Sequence, residues 1–195
     1  MHIILASNSP RRKELLAGLG IPYDVFVLQG IDESYPSTLP PNEVAEYMAC
    51  KKAKAYEGQR SVFNVQSSMF NVLLTADTVV VCDGEILGKP HDAAEACAML
   101  RKLSGKTHQV YTGYCLQTAD KSVSGTVCSD VTFKELSDEE ISYYVDNYHP
   151  LDKAGAYGIQ EWIGYIGITG IRGSYYNVMG LPVQRIYEEI KKLKE

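Results

Sequence analysis

Arg11, Arg12, Lys52 and Lys89 set against Glu33 and Asp77 make a group of cations and carboxylates suited to one task, gripping a polyphosphate together with a divalent cation. Phosphate oxygens favour guanidinium forks and ammonium groups, while Mg²⁺ favours hard carboxylate oxygens. The sharpest piece is Ala6-Ser7-Asn8-Ser9-Pro10-Arg11-Arg12, placed directly after the apolar run Ile3-Ile4-Leu5. It reads as a buried strand, a polar turn and the first turn of a helix. Pro10 suits the first helical position, where no backbone N–H is needed. Ser7 or Ser9 can cap the free N–H groups. A helix N-terminus attracts anions, and two arginine forks beside it make a phosphate site. The same residues equally describe a well-capped surface helix whose arginines are solvated.

Asp77 stands within Val72–Val81, a run of strand-forming apolar residues. A carboxylate there is costly unless paired, hydrogen-bonded or metal-bound. Either it lies at a strand end facing solvent, or it lines a cleft, where it could hold a cation or take a proton from water. Lys89 follows by a hairpin's length in Gly88-Lys89-Pro90, held extended by the proline. Lys52 continues a helical stripe that begins with Val44 and Met48, so it either snorkels outward or points into a cleft. Glu33 sits in a polar loop that also holds Gly30, Asp32 and Ser34.

The elements that must position these groups alternate between strand and helix. Strands are expected over Ile3–Leu5, Tyr23–Leu28, Val72–Val81 and Glu85–Leu87, the last pair joined by an Asp83-Gly84 turn. A long antiparallel pair follows over His108–Thr118 and Ser122–Lys134, and Trp162–Ile168 is strand-like. Gly164, Gly167 and Gly170 read as bulges or bends in that last segment. Helices are expected over Arg11–Leu19, Pro41–Tyr56 and Asp92–Leu103. Another opens at the capping box Ser137-Asp138-Glu139-Glu140, and an amphipathic one starts at Pro182. Gln59–Asn71 reads as a polar, exposed excursion and Gly173–Met179 as a tight loop. The fold class is α/β with a mixed sheet. The long hairpin suggests two lobes with a boundary near residues 90–105.

Composition bounds the partners. The 195 residues suffice for one domain or two small lobes. No apolar run approaches the ~20 residues of a membrane span, and the N-terminus lacks the basic region and apolar core of a signal peptide. Cytoplasmic residence, with no membrane partner, is the expectation. A formal net charge of −5 argues against a nucleic-acid-binding surface and makes the local basic clusters stand out. The five cysteines include no Cys-x-x-Cys pair, which speaks against a disulfide framework or zinc knuckle. Cys50, Cys82 and Cys97 read as buried free thiols. The phosphate-loop, dinucleotide and nucleophile-elbow patterns are absent.

Seven segments together resemble the Maf family of nucleoside triphosphate pyrophosphatases: Ala6–Arg12, Ile31-Asp-Glu33, Lys52-Ala-Lys-Ala55, Ala76-Asp-Thr78, Gly88-Lys-Pro90, Leu151–Gln160 and Gly173–Pro182. The resemblance covers nearly the whole chain. It implies a single Maf-like domain over 1–195, with two lobes around a deep cleft and a fold similar to inosine triphosphate pyrophosphatases, often as a homodimer. It also implies hydrolysis of a nucleotide to its monophosphate and pyrophosphate with a divalent cation, Mg²⁺ or Mn²⁺. Ala76-Asp-Thr78 and the Lys153–Gln160 stretch look like the branch acting on dTTP and UTP; a sister branch takes 7-methyl-GTP. On this basis Asp77 is the proton acceptor and, with Glu33, the metal ligand. Lys52 and Lys89 assist catalysis, and Ser9, Arg11, Arg12, Thr78 and Gln160 bind substrate. Gln160 can read the base, because its amide both donates and accepts hydrogen bonds, matching the uracil or thymine edge. The rival from another class is a non-catalytic nucleotide-binding regulator of cell division.

Overall fold

The run Ile3-Ile4-Leu5 forms the core of β1 (His2–Leu5), and all three side chains are buried. Burial on both faces explains why the segment reads as continuously apolar rather than alternating. The computed structural model describes residues 1–57 and 71–193. The expected excursion over residues 59–71 therefore lies outside them except for Asn71, which opens a strand.

Strands β1, β2 (Tyr23–Val25), β3 (Asn71–Cys82), β4 (Glu85–Leu87), β5 (Thr107–Gln117), β6 (Ser122–Phe133) and β7 (Ile168–Arg172) form one mixed sheet in the order β2-β1-β3-β5-β6-β7, with β4 on β3. β1 runs parallel to both β2 and β3, whereas the β3–β4 and β6–β7 pairs are antiparallel. The α-helices of the described residues are α1 (Pro10–Ala17), α2 (Pro41–Ala55), α3 (Ala93–Leu103), α4 (Asp138–Tyr148), α5 (Trp162–Gly167), α6 (Tyr175–Met179) and α7 (Val183–Leu193). None is long and apolar enough to cross a membrane. The fold class is the expected mixed α/β.

The chain divides into two compact units. The first comprises Met1–Asp77, Thr112–Val127 and Gly180–Glu195; the second comprises Thr78–Tyr111 and Cys128–Met179. The expected boundary near residues 90–105 is thus incorrect. The chain changes unit inside β3, β5 and β6, where regular strand sequence leaves no linker composition to mark the place, and a fourth time at Met179/Gly180.

In the first unit, α2 buries Val44, Ala45, Met48, Ala49 and Ala53. The small residues let β5 come close: a Cβ on Gly113 would lie 2.2 Å from the backbone carbon of Ala45. Tyr56, just past α2, accepts the Leu28 N–H at 2.9 Å and donates to the Phe26 carbonyl at 3.1 Å. That hydroxyl occupies backbone groups a ladder would need, and β2 stops at Val25 rather than continuing to Leu28.

In the second unit the Asp83-Gly84 turn has both residues at positive φ, 53° and 79°, as a two-residue hairpin requires. The capping box forms as expected: Ser137 Oγ accepts from Glu140 N–H, and the Glu140 carboxylate takes Ser137 N–H at 2.9 Å. Trp162–Gly167 is a helix, not a strand. Its buried positions, Ile163 and Gly167, are four apart, a helical repeat that a short apolar run hides. Gly164 lies inside this helix rather than at a bulge, and a Cβ there would lie 1.8 Å from the Ile159 carbonyl oxygen. Gly173–Met179 is part loop and part helix, since α6 begins at Tyr175. Of the cysteines read as buried, Cys82 is buried while Cys50 and Cys97 are partly exposed; all five are free thiols.

His108 is wholly buried in the second unit, stacked on Phe133 and hydrogen-bonded through Nε2 to the Tyr157 hydroxyl at 2.7 Å. Burial pulls its pKa from 6.5 down to about 4. The unfolded chain therefore takes up this proton first, and the stability is complete above the unfolded value and lost as pH falls towards the folded one. The gap corresponds to about 3 kcal/mol. Urea unfolding should lose about 2–3 kcal/mol between about pH 7.5 and about pH 4.5, and His108→Gln should flatten that slope. An equal slope in the variant would assign the acid sensitivity to other groups.

Candidate functional site

The turn after β1 carries the first of the candidate residues, within the first unit. Ser9 caps α1, its Oγ accepting Arg12 N–H at 3.5 Å, and Pro10 opens the helix. Ser7 Oγ accepts Ser9 N–H at 3.2 Å. Arg11 is partly exposed on the first helical turn. Arg12 turns inward: Nε donates to the Gly180 carbonyl at 2.8 Å, and Nη1 donates to the Ala76 carbonyl at 2.8 Å and to Ser7 Oγ at 3.5 Å. Burial lowers the pKa of its guanidinium, with the Asp77 charge opposing that. Arg12 is thus neither solvated nor a bare anion hook. It braces the carbonyl immediately before Asp77.

β3 carries Asp77 in its middle, and the side chain is 21% exposed. The solvated strand-end reading is therefore incorrect. Lys52 Nζ lies 2.6 Å from Asp77 Oδ1 and 2.9 Å from Glu33 Oε1, with its own side chain only 15% exposed. Lys52 does not snorkel; one ammonium joins the two carboxylates singled out from sequence. Glu33 reaches this place because its neighbours are clipped to α2. Lys51 Nζ donates to Asp32 Oδ2 at 2.7 Å and to the Ser34 carbonyl at 2.6 Å, and Asp32 Oδ1 accepts Ser34 N–H at 2.9 Å. Lys51 and Ser34 hold the Asp32 carboxyl well below the usual carboxylate range. The sequence reading passed over Lys51 and Asp32 as site-forming residues, though each adjoins a residue it chose.

The donor set fits a divalent cation of the Mg²⁺ kind. Such ions use one or two protein carboxylates and complete their shell with water and substrate phosphate. Glu33 and Asp77 lie near enough to share one ammonium, so they can share one metal ion. Among the described residues no group of three His, Cys, Asp or Glu could hold a metal unaided.

The second unit holds the remaining residues. Thr78 follows Asp77 along β3 and is partly buried. Lys89 is exposed, while the Gly88 carbonyl beside it accepts Gly155 N–H at 3.0 Å. Gln160 is partly buried, and its Oε1 is enclosed without a hydrogen-bond partner. Around it stand groups the sequence reading did not select. Lys153, 8% exposed, pairs with Asp152 at 2.8 Å and Glu161 at 3.1 Å, and Tyr144 donates to Glu161. Lys153 lies inside the quoted Leu151–Gln160 stretch. Tyr144 comes from α4 with no local sign of its partner.

The family model described as Maf-like protein matches residues 2–193. The chain belongs to the Maf family. A Maf relative from Phocaeicola vulgatus, named dTTP/UTP pyrophosphatase, is 59% identical over 191 residues, covering 98% of this chain and 95% of its own length. One of the same name from Bacteroides thetaiotaomicron is 57% identical, covering 98% and 96%. Another from Flavobacterium psychrophilum is 49% identical, covering 95% and 91%. A solved structure of the Staphylococcus aureus Ham1 protein aligns with 97% of this Maf chain and 100% of its own, at 17% identity and a TM-score of 0.46. At that score the likeness carries no weight for the fold.

Proposed function

We propose that this Maf protein hydrolyses dTTP and UTP to the monophosphate and pyrophosphate by attack of water on the α-phosphorus. The observation that carries the reading is Asp77, set in an apolar strand and tied with Glu33 to one lysine. A carboxylate pair beside a phosphate chain is repulsive unless cations intervene, so this arrangement suits metal-assisted hydrolysis better than passive anion binding. Full-length relatives at 49–59% identity that bear the dTTP/UTP pyrophosphatase name support the substrate class.

In this reading Asp77 accepts the water proton as the water oxygen bonds to the α-phosphorus. The bond from that phosphorus to the bridging oxygen breaks, and pyrophosphate leaves with the electron pair. Mg²⁺ or Mn²⁺ held by Glu33 and Asp77 would polarise the phosphoryl group and offset charge on the leaving group. Arg11, Lys52 and Lys89 offset charge on the phosphate chain, while Ser9 sets the turn that presents Arg11. Arg12 adds charge and holds Ala76. Thr78 and Gln160 select the base, the Gln160 amide offering an acceptor for the N3–H of uracil or thymine and a donor for a ring carbonyl. The reading includes a cytoplasmic enzyme acting as a homodimer, with no nucleic-acid or membrane partner.

The deciding measurement resolves products from dTTP, UTP, CTP, ATP and 7-methyl-GTP with Mg²⁺ or Mn²⁺. Pyrophosphate with UMP or dTMP is expected. Orthophosphate with a diphosphate would rule out α-attack, and a preference for 7-methyl-GTP would place the chain in the sister branch. Tight nucleotide binding without turnover would favour the regulator.

A further inference from the structure

We propose that Tyr144 and Glu161 are positioning residues that aim the Gln160 amide and so set the choice of base; this rests on the reading of Gln160 as the base reader. Gln160 lies inside a tight turn closed by Glu161 N–H donating to the Gly158 carbonyl at 3.0 Å. One side chain holds both ends of that turn. The Tyr144 hydroxyl accepts Gly158 N–H at 3.0 Å and donates to Glu161 Oε2, while Glu161 Oε1 takes Lys153 Nζ at 3.1 Å. Tyr144 is wholly buried. Burial and the Glu161 carboxylate raise its pKa, which keeps the hydroxyl a donor. A Cβ on Gly158 would lie 2.8 Å from the Glu161 carboxyl carbon, so a larger residue there would push that carboxylate away from Tyr144.

The Gln160 oxygen has no hydrogen-bond partner of its own to fix its direction. Tyr144 pins the backbone that carries this side chain, and the enclosure of the oxygen restricts how the amide can turn on that fixed base. An amide fixed in one direction discriminates between donor and acceptor edges, whereas one free to turn end for end accepts both. Uracil and cytosine differ at such an edge: uracil offers N3–H and O4, cytosine N3 and an amino group.

The test compares kcat/KM for UTP and CTP in Tyr144→Phe, Glu161→Gln, Gln160→Ala and the Tyr144→Phe/Gln160→Ala double variant. Tyr144→Phe should reduce the UTP-over-CTP ratio about tenfold, chiefly through KM, and Glu161→Gln should move it the same way. Adding Tyr144→Phe to Gln160→Ala should change the ratio no further. If Tyr144→Phe folds poorly, Glu161→Gln decides the matter alone, since it keeps the side chain's size while removing the carboxylate that the Tyr144 hydroxyl and Lys153 both hold. A ratio flattened by Gln160→Ala but untouched by Tyr144→Phe and Glu161→Gln would overturn the positioning role and leave Gln160 as reader. A ratio untouched by Gln160→Ala would overturn base reading by Gln160, and the positioning role with it.

Discussion

Asp77→Asn should lower kcat by about 10²–10⁴-fold, the usual contribution of a positioned general base. The two side chains have the same shape, so the replacement leaves β3 its packing and gives Lys52 Nζ a neutral oxygen in place of the carboxylate at 2.6 Å. What disappears is the group that takes the proton from water, together with one of two metal-binding carboxylates. The melting temperature should change little, which separates lost chemistry from lost fold. Single-turnover rates at saturating UTP and Mg²⁺ check it, and survival within about tenfold would remove Asp77 from the base role. Glu33→Gln should cost less, because Glu33 holds metal without taking the proton and its side chain is 61% exposed.

Gly113→Ala should be the most damaging single methyl group tested in the first unit. Its Cβ would lie 2.2 Å from the carbonyl carbon of Ala45, 2.3 Å from that oxygen and 2.3 Å from Glu46 N. All three are backbone atoms of α2 and cannot rotate aside, so helix and strand must separate. Overpacking costs typically 1–3 kcal/mol and sometimes more; a clash with a rigid backbone peptide unit places this case at about 3 kcal/mol or above. For a chain of this size that is a fall of roughly 6–12 °C in Tm. Activity should fall as well, because α2 carries Lys52, whose ammonium must reach both carboxylates. Gly170→Ala is the control: its nearest neighbour, Thr132 Cβ, would be 3.8 Å away. Equal melting shifts in the two variants would contradict the close approach of α2 to β5.

Features governed by neighbours a few residues away were legible in the amino-acid sequence. The β1 strand, the Ser9-Pro10 helix start, the Asp83-Gly84 hairpin and the Ser137–Glu140 capping box all follow from local hydrogen bonding and side-chain period. Residue type also marked Asp77 and Lys52, a carboxylate within an apolar strand and a lysine on an apolar stripe, whereas Glu33, in a polar loop, stood out only as a carboxylate complementary to the cations. Which partner was a tertiary matter. Arg12 looked like a free fork beside an anion site, yet it donates to a carbonyl 168 residues further along the chain. Tyr144 reads as one aromatic among many until its hydroxyl meets Gly158 and Glu161. The helix at Trp162–Gly167 and the division of the chain inside three strands were hidden for a related reason: short apolar runs fit either period, and a strand looks alike on both sides of a boundary. The amino-acid sequence determined which groups here can carry charge, accept a proton or cap a helix. Only the tertiary structure decided which of them lie within hydrogen-bond reach, because that depends on contacts between segments far apart in the chain.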